Sequence, residues 1–135
     1  MKQPLKPPLY DYIQELAALL NLGQWKITIS PLPPEDDALA TCRVTSGQQL
    51  ATIRIAQATI KADPEEQRAT LLHELLHIHL WAIGEVVEHA FPALGTTAAG
   101  VLEAAHDLAA ERAIDALALA IAPFFPLPPK QKVAP

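Results

Sequence analysis

DPEEQRATLLHELLHIHLWAI, residues 63–83, is the stretch on which the fold turns. Asp63 is placed to be an N-cap, Pro64 suits the first helical position, where a missing N–H costs nothing, and Glu66 follows the cap by three residues. A helix is therefore expected to begin here and run to about Ile83, ending at Gly84. Leu71, Leu72, Leu75, Leu76, Ile78 and Leu80 make it apolar nearly all round, the pattern of a central helix buried against several neighbours. Into that surface are set His73, Glu74 and His77, polar groups that are costly to bury unless something satisfies them.

Upstream, Leu39 to Thr45 and Leu50 to Ala56 flank the turn Ser46-Gly47-Gln48-Gln49. Ala40, Cys42 and Val44 alternate in one arm and Ala51, Ile53 and Ile55 in the other, which predicts a β-hairpin. Trp25 to Ser30 alternates as well, with Trp25, Ile27 and Ile29 on one face, and Pro31, Pro33 and Pro34 stop it. Leu9 to Leu22 places Ile13, Leu16, Ala17 and Leu20 at helical spacing between a proline pair and Gly23. Downstream, Glu85 to Gly95 gives no clear pattern beyond a break at Pro92. An alanine-rich helix is expected from Thr97 to about Ala122, its small side chains allowing close approach to the central helix. A proline-rich tail, residues 123–135, is expected to be extended.

These elements predict one α+β domain over residues 1–135. A small twisted, mostly antiparallel sheet of three or more strands packs against a central metal-binding helix, with an N-terminal helix and a long C-terminal helix completing it. No internal repeat is present.

Half of the 135 residues are hydrophobic, enough for one core, and 19% are charged with a net charge of -5. That balance lacks the basic stripe nucleic-acid binding requires, so nucleic acid is excluded as the expected partner. Cys42 is the single cysteine, which rules out an internal disulfide and a cysteine-based zinc knuckle. Any metal must then be held by His, Asp or Glu. The first residues lack the apolar core of a signal peptide and no stretch has the length of an uncharged span, so no membrane association is expected and the predicted location is cytoplasmic.

His73 and His77 lie one turn apart on one helix face, where both imidazoles reach one ion. Glu74 projects about 100° round the helix, placed to touch a water beside the metal without binding the metal itself. This trio matches the needs of zinc-assisted hydrolysis: two neutral ligands and a carboxylate to move a proton. A chance His-Glu-x-x-His in a chain of this length is on the order of one in several hundred.

Ala69-Thr70-Leu71-Leu72-His73-Glu74-Leu75-Leu76-His77 resembles the active-site helix of zincin metallopeptidases. The order of strand, hairpin and metal helix resembles, more loosely, minimal zincins such as minigluzincins and SprT-like proteins. The resemblance implies zinc as cofactor, a peptide or protein substrate, and Glu74 as general base and acid. A catalytic zinc usually has three protein ligands, and the third here is sought among His79, His89, Glu103, His106, Asp107 and Glu111. The metzincin pattern fails, since Leu80 stands where it needs glycine and Ile83 where it needs histidine. Glu111-Arg112-Ala113-Ile114-Asp115 resembles the gluzincin Glu-x-x-x-Asp pattern, which implies Glu111 as zinc ligand and Asp115 as hydrogen-bond partner of a zinc-bound histidine. Both share a helix face with Ala104, Leu108 and Ala118, residues suited to packing on the metal helix. His89 is the alternative, as SprT-like proteins use such a downstream histidine.

The principal expectation is a zinc-dependent peptidase, most simply an endopeptidase. The alternatives are a zinc-stapled interaction domain without catalysis, and an amide or ester hydrolase built on the same site. The intact Glu74 favours hydrolysis, because a purely structural site has no use for a carboxylate beside the water position. Leu50 to Ala56 is expected to form the sheet edge that faces the zinc and receives an extended substrate. The tail is expected to lie across that edge and restrain activity.

Overall fold

The computed structural model describes residues 5–130. The tail beyond residue 130 lies outside the described residues. The chain is α+β, with four α-helices and one three-stranded sheet.

Helix α1, Tyr10–Leu19, buries Tyr12, Ile13, Leu16 and Ala17. It stops at Asn21, two residues before the expected Gly23. Asn21 adopts a left-handed φ of 62°, and the Leu22 N–H turns back to the Ala17 carbonyl at 2.8 Å. Asparagine supplies the backbone reversal that glycine more often provides at a helix end. The carbonyl of Leu20, freed by that ending, accepts a bond from His79 Nε2 at 2.7 Å. His79 therefore secures α1 to the helix that carries His73 and His77.

Strands β1 (Lys26–Ile29), β2 (Ala40–Val44) and β3 (Leu50–Ile55) form a mixed sheet in the order β1-β3-β2. β2 and β3 are the predicted antiparallel hairpin, with Gly47 at φ 76° in its turn. β1 pairs in parallel with β3, Ile27 opposite Ala51. The expectation for Leu50 to Ala56 is corrected by this pairing. β3 is the central strand, bonded on both sides, and β2 is the open edge beside the metal helix. Ile27, Ala51 and Ile53 turn into the core, each no more than 2% exposed.

A short helix α2, Gln57–Ile60, leads to α3, Pro64–Ala90. The predicted start holds, with Pro64 in the first turn and Asp63 extended before it, although the Asp63 side chain makes no capping bond. Glu65 and Glu66 meet the helix N-terminus instead, where negative charge is favoured. Buried Gln67 donates to the carbonyls of Thr59 and Ile60, joining α2 to α3.

α3 does not stop at Gly84. It continues to Ala90 and ends in a turn of 3-10 helix, Phe91–Ala93, that contains Pro92. Gly84 lies within the helix and faces α4, Thr96–Ile121, where a Cβ would stand 3.4 Å from the His106 ring, an ordinary contact distance. The two helices are antiparallel, since Asp115 meets His73, Glu111 meets His77, and His106 meets Gly84. Only Ile114 and Ala118 of α4 are buried.

After α4 the chain turns through Ala122–Phe124 and is tied down twice. Tyr12 Oη donates to the Pro126 carbonyl at 2.7 Å, and Arg68 donates to the Phe125 carbonyl at 2.9 Å. The described part of the tail is thus a strap on α1 and α3, and none of it lines the cleft above β2. This replaces the expectation that it crosses the sheet edge. No helix among the described residues is long and apolar enough to cross a membrane.

Candidate metal centre

The antiparallel pairing of α3 and α4 brings four predicted residues together. Glu111 presents one carboxylate oxygen to each histidine: Oε2 is 3.3 Å from His73 Nε2 and Oε1 is 3.0 Å from His77 Nε2. The two Nε2 atoms are themselves 3.3 Å apart. On its other side, His73 Nδ1 lies 2.9 Å from Asp115 Oδ1. The Nδ1 proton then points at Asp115, and the His73 Nε2 carries a lone pair. Two ring nitrogens and a carboxylate crowd one point.

A proton on His77 Nε2 can bridge to Glu111 or to His73, and the same donor set also fits zinc. At bond lengths of about 2.0–2.2 Å, tetrahedral ligands stand about 3.3–3.5 Å apart, close to the three separations found. Glu111 lies half exposed, so the site is open on one side.

Glu74, one residue beyond His73, is buried. Burial pushes its carboxyl up to about 8, with the negative charge of Glu111 adding to the effect. Burial lowers the His77 pKa, opposed by the charge of Glu111, which favours the neutral imidazole that metal binding needs. His73, Glu74, His77 and Glu111 share a cleft with Ala38, Ala40, Thr41 and Cys42. Ala40, Thr41 and Cys42 lie on β2 and Ala38 just before it, and the sequence does not mark them as site residues, because a strand next to a site in space leaves no local mark in its own residues. The Cys42 thiol is pushed up to about 12, by burial first and then by the charge of Glu74.

The other candidates are placed elsewhere. His89 lies twelve residues beyond His77 on the same unbroken helix, about 18 Å along its axis, and is out of reach. His79 is engaged with Leu20. Glu103, His106 and Asp107 line a neighbouring cavity, apart from the clusters His73/Glu74/His77 and His73/Glu111/Asp115 whose ligand atoms converge among the described residues. Arg112 is exposed and makes no ion pair among the described residues. Tyr12 is engaged with the strap. No protein-family model, curated protein or solved structure matches this chain.

Proposed function

We propose that the chain is a zinc-dependent peptidase of the gluzincin kind, acting on peptide or protein substrates. One observation carries the reading: Glu111 faces both histidines while Asp115 takes the opposite nitrogen of His73, with Glu74 buried in the same cleft. His73, His77 and Glu111 would hold the metal. When bound, zinc supplies Lewis acidity to the scissile carbonyl and to water.

The protein's own groups do the rest. Glu74 accepts a proton from the attacking water as its oxygen bonds to the carbonyl carbon, then delivers that proton to the amine nitrogen as the C–N bond breaks. Asp115 fixes the tautomer and orientation of His73. The open edge of β2 receives an extended peptide by main-chain hydrogen bonds.

The half-exposed Glu111 and the open cleft favour catalysis over a structural staple, whose ligands close round the ion. The same machinery would serve another amide or an ester. The lone cysteine and the absence of a basic stripe fit a cytoplasmic protein acting on peptides and not on nucleic acid. The deciding experiment offers a proteome-derived peptide mixture to zinc-loaded parent and Glu74→Gln protein. The variant is expected to keep zinc and fold while turnover falls by about two to four orders of magnitude. Equal cleavage by both forms would overturn the assignment.

A further inference from the structure

A cavity of about 340 Å³ lies between α3 and α4, on the side of His77 toward the turn that joins them. His77 and Glu111 line its near end, so it opens onto the candidate metal centre. Leu80, Trp81 and Phe91 give it apolar walls, and Gly84 and His106 line it between them. The Trp81 indole N–H is buried and has no acceptor among the described residues, an unmet donor in a residue of this wall.

Apart from His77 and His106, the titratable lining is all acidic. Glu85, Glu88, Glu103 and Asp107 all contribute, in addition to Glu111, which the metal would engage. From residue 69 to residue 111 the chain has neither lysine nor arginine. Among the described residues only Asp107 has an ionisable partner, His106 at 3.4 Å, and no lysine or arginine reaches the other carboxylates. An apolar-walled cavity whose carboxylates lack cations matches one kind of side chain, a long aliphatic stem with a positive head. The aromatic walls add cation–π attraction for the same head.

We propose that this cavity is a substrate subsite that takes a lysine or arginine side chain next to the scissile bond. The proposal rests on the peptidase reading and adds substrate class to it. Trp81 and Gly84 lie about 6 and 10 Å beyond His77 along α3, the reach of a long basic side chain. An N-terminal ammonium placed at the scissile bond would not span that depth.

The test uses zinc-loaded protein and N-acetylated peptides that differ only at the positions flanking the cleaved bond, carrying lysine, arginine, norleucine or glutamate. Turnover is measured with the parent, and calorimetric binding of the same peptides with Glu74→Gln, which needs no cleavage. Lysine and arginine peptides are expected to exceed the norleucine peptide by about tenfold in kcat/KM and in affinity, as two or more exposed charge pairs allow. In Glu103→Gln/Asp107→Asn that ratio should fall below threefold, and a second pair, Glu88→Gln/Glu103→Gln, should do the same if the first fails to fold.

Cleavage without basic preference, or a preference that survives both variants, overturns the subsite while leaving the peptidase reading intact. No cleavage by the parent together with selective binding of basic peptides overturns the peptidase reading and leaves the cavity a cation site.

Discussion

Asp115 holds His73 by the ring nitrogen that does not face His77, Oδ1 and Nδ1 standing 2.9 Å apart. Glu111, one turn earlier on α4, faces the other nitrogen of the same ring. If Glu111 is the proposed zinc ligand and Asp115 the orienting partner of His73, removing each should have a different effect. Asp115→Ala should weaken zinc binding about 10- to 100-fold, measured by competition with a chelator. Glu111→Ala removes a direct donor and should cost more than that, with loss of turnover. His89→Ala should leave zinc affinity unchanged. Equal losses from Asp115→Ala and Glu111→Ala would show that the two carboxylates do not have separate roles.

The metal helix was legible because its signals are local. Pro64, the leucines and the His73/His77 spacing each act within a turn or two, and the Glu111/Asp115 spacing is a one-turn relationship as well. What escaped was contact between distant segments. Leu50 to Ala56 alternates just as an edge strand would, and only its parallel pairing with β1 makes β3 central. Gly84 was expected to end α3, yet the helix runs through it to Ala90, with His106 from 22 residues downstream packed beside it. The end of α1 was misplaced for the opposite reason, since Asn21 does by itself what glycine was expected to do.

The corrected sheet order makes a prediction about substrate. Thr45 N–H bonds the Leu50 carbonyl and Ala56 N–H bonds the Leu39 carbonyl, so the odd-numbered residues of β2 are those paired with β3. By antiparallel alternation, the main-chain groups of Ala40 and Cys42 are left to the open edge. A peptide adding there should depend on every second amide. N-methylation at alternate positions of a cleaved peptide should abolish cleavage, and methylation at the intervening positions should have little effect. Uniform sensitivity, or none, would remove β2 from substrate binding.

Cys42 lies in the same cleft, and its thiol is held protonated up to about pH 12. At pH 8 its thiolate fraction is on the order of one in ten thousand, against roughly a quarter for a free thiol. Alkylation by iodoacetamide should be at least about a hundredfold slower than for the unfolded chain, with or without zinc. Fast alkylation that zinc suppresses would make Cys42 a ligand and would require a different metal site.

The strap after α4 should bear on stability and not on activity, because its anchors are Tyr12 and Arg68 and not the cleft. Tyr12→Phe deletes the bond to the Pro126 carbonyl and should cost about 1 kcal/mol in chemical denaturation. Truncation after Ala122 should cost more, while turnover per folded molecule stays that of the parent. The phenol also gives the strap a pH signature. Burial raises Tyr12 from 10 to about 12, opposed by the positive charge of Arg68. Between those values the unfolded chain ionises while the folded one does not. The stability this supplies is therefore complete below pH 10 and lost as the pH rises through 12. Tyr12→Phe should remove that part of the alkaline decline, leaving the part due to Cys42, which begins at pH 9. If truncation after Ala122 raised turnover instead, with stability unchanged, the strap would be an inhibitor, and its bonds to Tyr12 and Arg68 would have no part in holding the fold together.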